Sequence, residues 1–335
     1  MTEALLSVRN LSTRFDTDDG VVRAVDEVSF DVMPREIFGI VGESGSGKSV
    51  TALSILGLLP KPAGRVAGGQ VLYKGSDLLA MDPGELRKLR GNRITMIFQD
   101  PLTALNPVFT VGNQIAEVFR IHQGISKQAA ARKSIDMLRL VGIPKPEQRA
   151  DDYPHQFSGG MRQRAMIAMA VALDPDLLIA DEPTTALDVT IQAQIIDVLL
   201  QVREECSMAI MLITHDLGVV AGVAERVMVM YAGKVAEIAT VDEIFTSPKH
   251  PYTWGLMTSI ARLDEARKAR LIPIRGAPPS VMNEWTSCPF SPRCDYRQDV
   301  CDEKYPSLIS VSDAHDAACH FARDSGWAPR VGAQP

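Results

Sequence analysis

One segment limits what this chain can fold into more than any other. Gly42-Glu43-Ser44-Gly45-Ser46-Gly47-Lys48-Ser49 follows directly on the apolar run Ile37-Phe38-Gly39-Ile40-Val41. The spacing is G-x-x-x-x-G-K-[ST]. Glycines let successive backbone N–H groups turn inward around phosphate oxygens, where a Cβ would intrude. Lys48 is placed to reach terminal phosphates and Ser49 to ligate Mg²⁺. The pattern predicts a helix over Val50 to Leu59, stopped by Pro60, whose N-terminus favours an anion. A chance glycine-rich turn is the competing reading, and the buried strand before it and the helix after it weigh against that.

Two more short apolar runs, Leu177-Leu178-Ile179-Ala180 and Ile210-Met211-Leu212-Ile213, have the continuous hydrophobicity of strands buried on both faces. Each lies beside a helical pattern, so the chain reads as α/β with a parallel sheet flanked by helices. The first run ends in Asp181-Glu182, at the strand end where such sheets bind ligands. Asp181 is then a candidate to hold Mg²⁺, and Glu182 to orient and polarise an attacking water. An isolated Asp-Glu pair is more often a solvated loop start; the phosphate loop upstream favours the functional reading. The other run ends in Thr214-His215-Asp216, which makes His215 a candidate to approach a terminal phosphate.

Composition excludes several classes. Of the 335 residues, 46% are hydrophobic and 23% are charged. That is enough for a large core and too apolar for general disorder. Lys plus Arg total 35 against 41 Asp plus Glu, a net charge of −6, which speaks against a nucleic-acid partner. The longest unbroken apolar run, Ala165 to Leu173, has nine residues, where a membrane span needs about 20. With no basic, apolar leader at Met1-Thr2-Glu3-Ala4, the chain is expected to be soluble and intracellular.

Along the chain, Val28, Phe30 and Val32 alternate with polar neighbours and Asp18-Asp19-Gly20 signals a turn, so the first thirty-odd residues read as antiparallel strands. Residues from about 103 to 170 lack strand signals and carry helical stretches such as Val111 to Val118 and Lys127 to Leu140, an inserted helical subdomain. After about residue 245 the composition shifts to Pro, Gly and Cys. The expected division is 1–245 and a 246–335 extension poor in regular structure.

Phe157-Ser158-Gly159-Gly160-Met161-Arg162-Gln163-Arg164 resembles the signature motif of ATP-binding-cassette (ABC) ATPases, which usually opens Leu-Ser-Gly-Gly-Gln. Gln99, in Phe98-Gln99-Asp100, is similar to their Q-loop, and Asp188, in Ala186-Leu187-Asp188, to their D-loop. These motifs keep the family's order across residues 1 to about 240. The resemblance implies a P-loop ABC ATPase domain: a mixed sheet core, an antiparallel β subdomain and the inserted helical subdomain. It implies ATP bound by Gly42, Ser44, Gly45, Ser46, Gly47, Lys48 and Ser49, Mg²⁺ held by Ser49, Gln99 and Asp181, and catalysis by Glu182, His215 and Gln99. Phe15 stands where the family has the aromatic that stacks on adenine. Ser158, Gly159 and Gly160 before a helix make a second backbone anion site. The resemblance implies that they, with Asp188, complete the ATP site of a partner subunit. Met161 for Gln and Phe157 for Leu depart from the general pattern.

Those departures, the loop Gln99-Asp100-Pro101-Leu102-Thr103-Ala104-Leu105-Asn106-Pro107, and the tail segments His250-Pro251-Tyr252-Thr253 and Arg275-Gly276-Ala277-Pro278-Pro279 resemble the oligopeptide/dipeptide/nickel importer ATPases. That subfamily implies a second, related ATPase subunit, two membrane permeases, a solute-binding protein acting indirectly, and a place on the cytoplasmic face of the cell membrane. The competing reading is a soluble ABC-type ATPase acting on DNA or ribosomes; such proteins generally need a coiled-coil insertion, a metal hook or tandem cassettes. A nucleotide-binding regulator without hydrolysis is opposed by Glu182 and His215.

Four of five cysteines crowd the tail as C-x5-C-x6-C-x17-C: Cys288, Cys294, Cys301 and Cys319. Buried free thiols, disulfides and a metal centre compete. A reducing compartment disfavours disulfides. Structural zinc favours closer C-x₂₋₄-C pairs, while an iron–sulfur cluster accepts wider spacing. The subfamily resemblance implies a [4Fe–4S] cluster, with zinc as the alternative. Cys206 is expected in the core.

Overall fold

A computed structural model of the chain describes residues 3–100, 104–185, 187–259, 274–282 and 284–324. Pro101, Leu102 and Thr103 of the Gln99–Pro107 loop and Ala186 of the D-loop-like segment lie outside the described residues. The strands run, in chain order, β1 Leu6–Thr17, β2 Gly20–Val32, β3 Ile37–Val41, β4 Gly64–Tyr73, β5 Ser76–Asp77, β6 Ile94–Ile97, β7 Leu177–Asp181, β8 Ala209–Thr214, β9 Arg226–Tyr231, β10 Lys234–Thr240, β11 Ile309–Ser312 and β12 His315–Ala317. The chain forms two compact units: Met1–Val32, Ile37–Leu79 and Thr214–Pro335 in one, Met33–Glu36 and Ala80–Ile213 in the other.

The first unit contains the antiparallel sheet β2-β1-β4-β5. Alternation buries Leu6 and Val8 of β1 and Val28, Phe30 and Val32 of β2. The period breaks between Val8 and Leu11, where the pairing with β2 shifts and Asn10 takes φ +48°. That bulge returns Leu11 to the buried face. The turn at Asp18-Asp19 joins Thr17 to Gly20, as the sequence predicts.

The same unit holds the run β11-β12-β10-β9-β3. β3 lies parallel to β9, while β9 and β10 form an antiparallel hairpin. Its turn uses Ala232 at φ +49° and Gly233 at φ +81°. Such a pair of positive φ angles is what a tight hairpin turn requires. The tail departs here from the expectation of little regular structure: β12 pairs with β10 and β11 with β12, so extension residues continue the strand order. A buried carboxylate fixes that addition. Glu237 accepts hydrogen bonds from the Lys249 N–H (2.5 Å) and His250 N–H (3.0 Å), and His315 Nε2 lies 2.6 Å from it.

The second unit has parallel strands β6-β7-β8 and the helices Val111–Gln123, Lys127–Leu140, Gly159–Val171 and Val189–Cys206. Val111, Ile115 and Phe119 recur at helical spacing and are buried. Side-chain oxygens of Thr110, Ser126, Ser158 and Asp188 accept from the first-turn N–H groups and set the four starts. This is the α/β architecture expected, with its helical stretch between β6 and β7. Among the described residues no helix is long and apolar enough to cross a membrane.

Two local expectations change. The helix after the phosphate loop spans Lys48–Ile55 rather than Val50 to Leu59. It starts early because Gly47 supplies a left-handed N-cap. It ends early because Gly57, at φ +60°, turns the chain before Pro60, as a glycine past a helix end commonly does. Cys206 ends its helix only partly buried, not in the core; burial, and secondarily Asp174, push its thiol up to about 12.

Candidate active site

In the first unit, the fully buried strand β3 delivers the chain into the phosphate loop. Backbone conformation and close packing together explain two glycines. Gly42 takes φ +152°, and a Cβ there would stand 2.3 Å from the Met230 carbonyl oxygen. Gly47 takes φ +102°, with the Ala24 carbonyl oxygen 2.4 Å from where a Cβ would be. Gly45, by contrast, faces open space. Lys48 is buried and its ammonium donates to the carbonyl oxygens of Gly42 (2.8 Å) and Glu43 (3.0 Å), spanning the loop. The Gly233 N–H donates to the Ser46 carbonyl at 3.1 Å and ties the loop to the β9–β10 turn.

Two observations test whether this loop fits a phosphate. Ser46 Oγ is buried with no hydrogen-bond partner among the described residues, a donor that a phosphate oxygen would satisfy. The helix Lys48–Ile55 has neither a side-chain cap bond nor an acidic residue in its first turn, so its N–H groups and positive dipole end remain suited to an anion. The residues fit. Ser44 and Gly45 are exposed at the loop tip and Ser49 is partly exposed.

Phe15 lies on β1 opposite Gly64 of β4. A Cβ at Gly64 would come within 2.8 Å of its ring, so that glycine leaves room for the aromatic. His215 is exposed immediately after β8. The following helix, Leu217–Val223, is capped by Asp216, whose carboxylate accepts from the Gly218 N–H at 2.8 Å.

In the second unit, β7 ends at the buried Asp181. Glu182 then turns left-handed (φ +46°) while its N–H donates to the Ile213 carbonyl at 2.8 Å. Its Oε2 accepts from Gln99 Nε2 (2.9 Å) and Thr185 Oγ1 (2.8 Å). The structure therefore joins two residues singled out from sequence, Gln99 and Glu182, and adds Thr185. Only the spacing of three residues from Glu182 could have pointed to that hydroxyl. A carboxylate that accepts from both Gln99 and Thr185 has a fixed aim, as a water-orienting base requires.

Ser158 caps the helix Gly159–Val171 by accepting from the Met161 N–H at 3.3 Å. That helix begins at Gly159, so the two signature glycines lie in its first turn rather than before it. A Cβ at Gly160 would meet Ile191 Cγ2 at 2.8 Å, so the second signature glycine permits close packing on the helix Val189–Cys206. Asp188 is exposed and caps that helix through the Ile191 N–H at 2.9 Å.

Cys288, Cys294, Cys301 and Cys319 line one small pocket of the first unit, with His250 and Phe290. Burial pushes the Cys294 thiol up to about 11 and the Cys319 thiol up to about 12. Four thiols are the right donors for a metal centre. Among the described residues, however, no group of three or more Cys, His, Asp or Glu is arranged to hold a metal ion. The expected iron–sulfur or zinc centre thus finds the donors gathered but not in coordinating geometry.

A glycine-rich phosphate cradle after a parallel strand, and an acidic strand end whose second carboxylate is held by a glutamine, define a P-loop ATPase. The ABC transporter family matches residues 25–185, and the family of oligopeptide/dipeptide transporter C-terminal regions matches residues 236–301. The chain is 54% identical over 317 residues to the dipeptide transport ATP-binding protein DppD of Bacillus subtilis, covering 95% of this chain and 94% of that one. It is 50% identical to the oligopeptide transport ATP-binding protein OppD of the same organism, over 93% and 87% of the two chains. Among solved structures, the dimeric post-hydrolysis state of the ATP-binding cassette MJ0796 bound to ADP and Pi superimposes with a TM-score of 0.63 and 26% identity, covering 70% of this chain and 98% of that one. The chain belongs to the ABC transporter ATPases, in the branch of peptide-transport ATP-binding proteins; it is an ATP-hydrolysing cassette subunit.

Proposed function

We propose that this subunit hydrolyses ATP to drive the import of dipeptides or oligopeptides through a membrane permease. What carries the peptide reading is similarity that runs through both the cassette and the tail: near-complete coverage by dipeptide and oligopeptide relatives, together with a matched peptide-transporter C-terminal region. The alternative of a soluble ATPase serving DNA or ribosomes is not favoured by these relatives.

Roles are assigned residue by residue. The loop Gly42 to Ser49 holds the phosphates through backbone N–H groups, Ser46 and Lys48. Ser49, Asp181 and Gln99 hold Mg²⁺, which neutralises phosphate charge when bound. Glu182, aimed by Gln99 and Thr185, polarises the attacking water; His215 contacts the terminal phosphate, and Phe15 stacks on adenine. Ser158, Gly159, Gly160 and Asp188 serve the ATP site of a second ATPase subunit, a related chain. Residues 1–245 form the ATP-binding domain, with its helical subdomain at about 103–170, and 246–335 the extension.

For the permease, the second unit offers an apolar groove lined by Phe98, Phe109, Ile121 and Met166. Phe109 is 55% exposed and Ile121 69%, and large apolar side chains exposed beside a groove suit a partner's helix. Two permeases, reached by a solute-binding protein, would place the chain on the cytoplasmic face of the cell membrane. Reconstitution of the chain with its permeases and partner ATPase in proteoliposomes tests the reading: ATP turnover should rise when peptide and solute-binding protein are supplied. Turnover unchanged by peptides and raised by another solute would replace the substrate.

The four tail cysteines are further proposed to load a [4Fe–4S] cluster, with zinc as the alternative; their convergence on one pocket supports this. Iron and acid-labile sulfide in anaerobically purified chain would support the cluster, stoichiometric zinc the alternative. Neither metal would make them buried free thiols.

A further inference from the structure

Glu43 is an odd choice inside a phosphate loop. Its carboxylate is a like charge to a triphosphate, repulsive unless something neutralises it. The structure shows what does. Arg293, from the cysteine-rich tail, forks onto both carboxylate oxygens at 2.6 and 3.0 Å. The Arg293 side chain is 5% exposed against 27% for Glu43, so the pair is shielded on the arginine side. The guanidinium is itself fixed: Nε donates to the Arg275 carbonyl (2.8 Å) and Nη1 to the Tyr231 hydroxyl (3.3 Å), with the Tyr231 and Phe290 rings 5.8 and 6.0 Å away. A second tail residue holds the same loop position. The Glu43 N–H donates to the hydroxyl of Tyr252 at 2.8 Å, and Tyr252 is fully buried against Tyr231 and Phe290.

Every polar group of Glu43 is thus engaged. The carboxylate meets Arg293 and the N–H meets Tyr252. The carbonyl accepts from Lys48 (3.0 Å) and from the Ser46 N–H (3.2 Å). Lys48 and Ser46 are the two side chains through which the loop is read as binding phosphate. Bidentate arginine–carboxylate pairs fix geometry as well as charge. In keeping with this, hydrogen bonding to Glu43 is the largest influence raising the Arg293 pKa.

We infer that Arg293 and Tyr252 are positioning residues for nucleotide binding: the tail clamps the phosphate loop at Glu43, cancelling its charge and fixing the backbone that presents Lys48 and Ser46. The inference rests on the reading of Gly42 to Ser49 as the ATP phosphate site. It assigns the tail a part in ATP affinity, beyond any structural role of its cysteines.

The test measures the equilibrium affinity of the full-length chain for MgATP by titration calorimetry. Lys48→Ala serves as the control for the underlying reading and should weaken binding at least tenfold; if it does not, the phosphate-site reading fails first. Given that control, Arg293→Met should weaken ATP binding about tenfold by leaving the Glu43 charge bare. Adding Glu43→Gln to Arg293→Met should restore affinity to within about threefold of native, because the charge that needed cancelling is gone. A purely structural role for Arg293 would show no such rescue. Tyr252→Phe, which deletes one hydroxyl and keeps the ring, should weaken binding about threefold or more, and it decides the matter if Arg293→Met does not fold. Native ATP affinity in Arg293→Met, or no recovery on adding Glu43→Gln, overturns the clamp. So does native affinity in Tyr252→Phe.

Discussion

Replacing Glu182 by Gln removes one charge and almost no volume. The isostere can keep the local contacts: its amide oxygen still accepts from Gln99 and Thr185, which now meet Oε2 at 2.9 and 2.8 Å. The backbone N–H stays bonded to the Ile213 carbonyl, and φ +46° suits Gln no worse than Glu. Folding stability should therefore change by less than about 1 kcal/mol, as surface-type substitutions do. Chemistry should not survive so well. Loss of a general base slows turnover by about 10²–10⁴-fold, or roughly 3–5 kcal/mol of transition-state stabilisation. Lys48 Nζ donates to the Gly42 and Glu43 carbonyls and the Glu43 N–H donates to the Tyr252 hydroxyl, contacts that the substitution leaves in place. ATP affinity should therefore stay within about threefold of native, on the logic of separable binding and chemical steps. Steady-state phosphate release by the complex with permeases and partner ATPase measures the first quantity, and nucleotide titration the second. Native turnover would refute the base assignment. A fall in turnover matched by an equal loss of ATP affinity would show that Glu182 organises binding instead.

Lys48→Ala removes an ammonium held by two loop carbonyls. A charge-assisted contact to phosphate is worth about 1.5–3 kcal/mol, so ATP binding should weaken by about 10–150-fold in a calorimetric titration. Glu237→Ala strands the N–H groups of Lys249 and His250 and the ring of His315, all now bonded to one buried carboxylate. At about 1–3 kcal/mol for each buried unsatisfied group, it should cost about 3 kcal/mol or more in denaturant unfolding and speed proteolysis of the tail; a loss under about 1 kcal/mol would mean the anchor is not needed. The Cys206 thiol is pushed up to about 12 by burial and Asp174. It should carry about 10³-fold less thiolate at pH 8 than a free cysteine. Alkylation should be correspondingly slow in the native chain, and peptide mapping at the rate of an unfolded thiol would contradict that.

The elements that sequence exposes best are those dictated by short-range chemistry. Ile37–Val41 and the following glycines announce a buried strand and an anion loop because both depend on neighbours within a few residues. Errors also follow from local rules in competition. Pro60 is the visible stop for the helix after the loop, but Gly57 and the left-handed Gly47 act first and set Lys48–Ile55. The pairing of Gln99 with Glu182 spans 83 residues. Sequence picks out both members by motif, yet nothing local says that they touch. Thr185 carries no motif at all. The strands Ile309–Ser312 and His315–Ala317 are missed because they are short, lie in a proline-rich context and gain their stability from an edge supplied far upstream by Lys234–Thr240.

Composition places a boundary near residue 245, and hydrogen bonds cross it at several points. Tyr252 and Arg293 supply partners for Glu43, Arg293 also bonds Tyr231, and the backbone of Lys249 and His250 together with His315 satisfies Glu237. Each of these earlier residues is charged or polar and at least partly buried. Without its tail partner it would leave a desolvated group uncompensated, which costs more than a satisfied bond contributes. The Arg293–Glu43 pair is 250 residues apart in sequence, so no window-based reading could find it. What the sequence does offer is an anomaly: an acidic residue at a free position of a loop built for anions. A residue that conflicts with its local chemistry implies a compensating partner elsewhere. In this chain the partner comes from the segment between Cys288 and Cys294, which makes the tail part of the phosphate site's construction rather than an appendage to it.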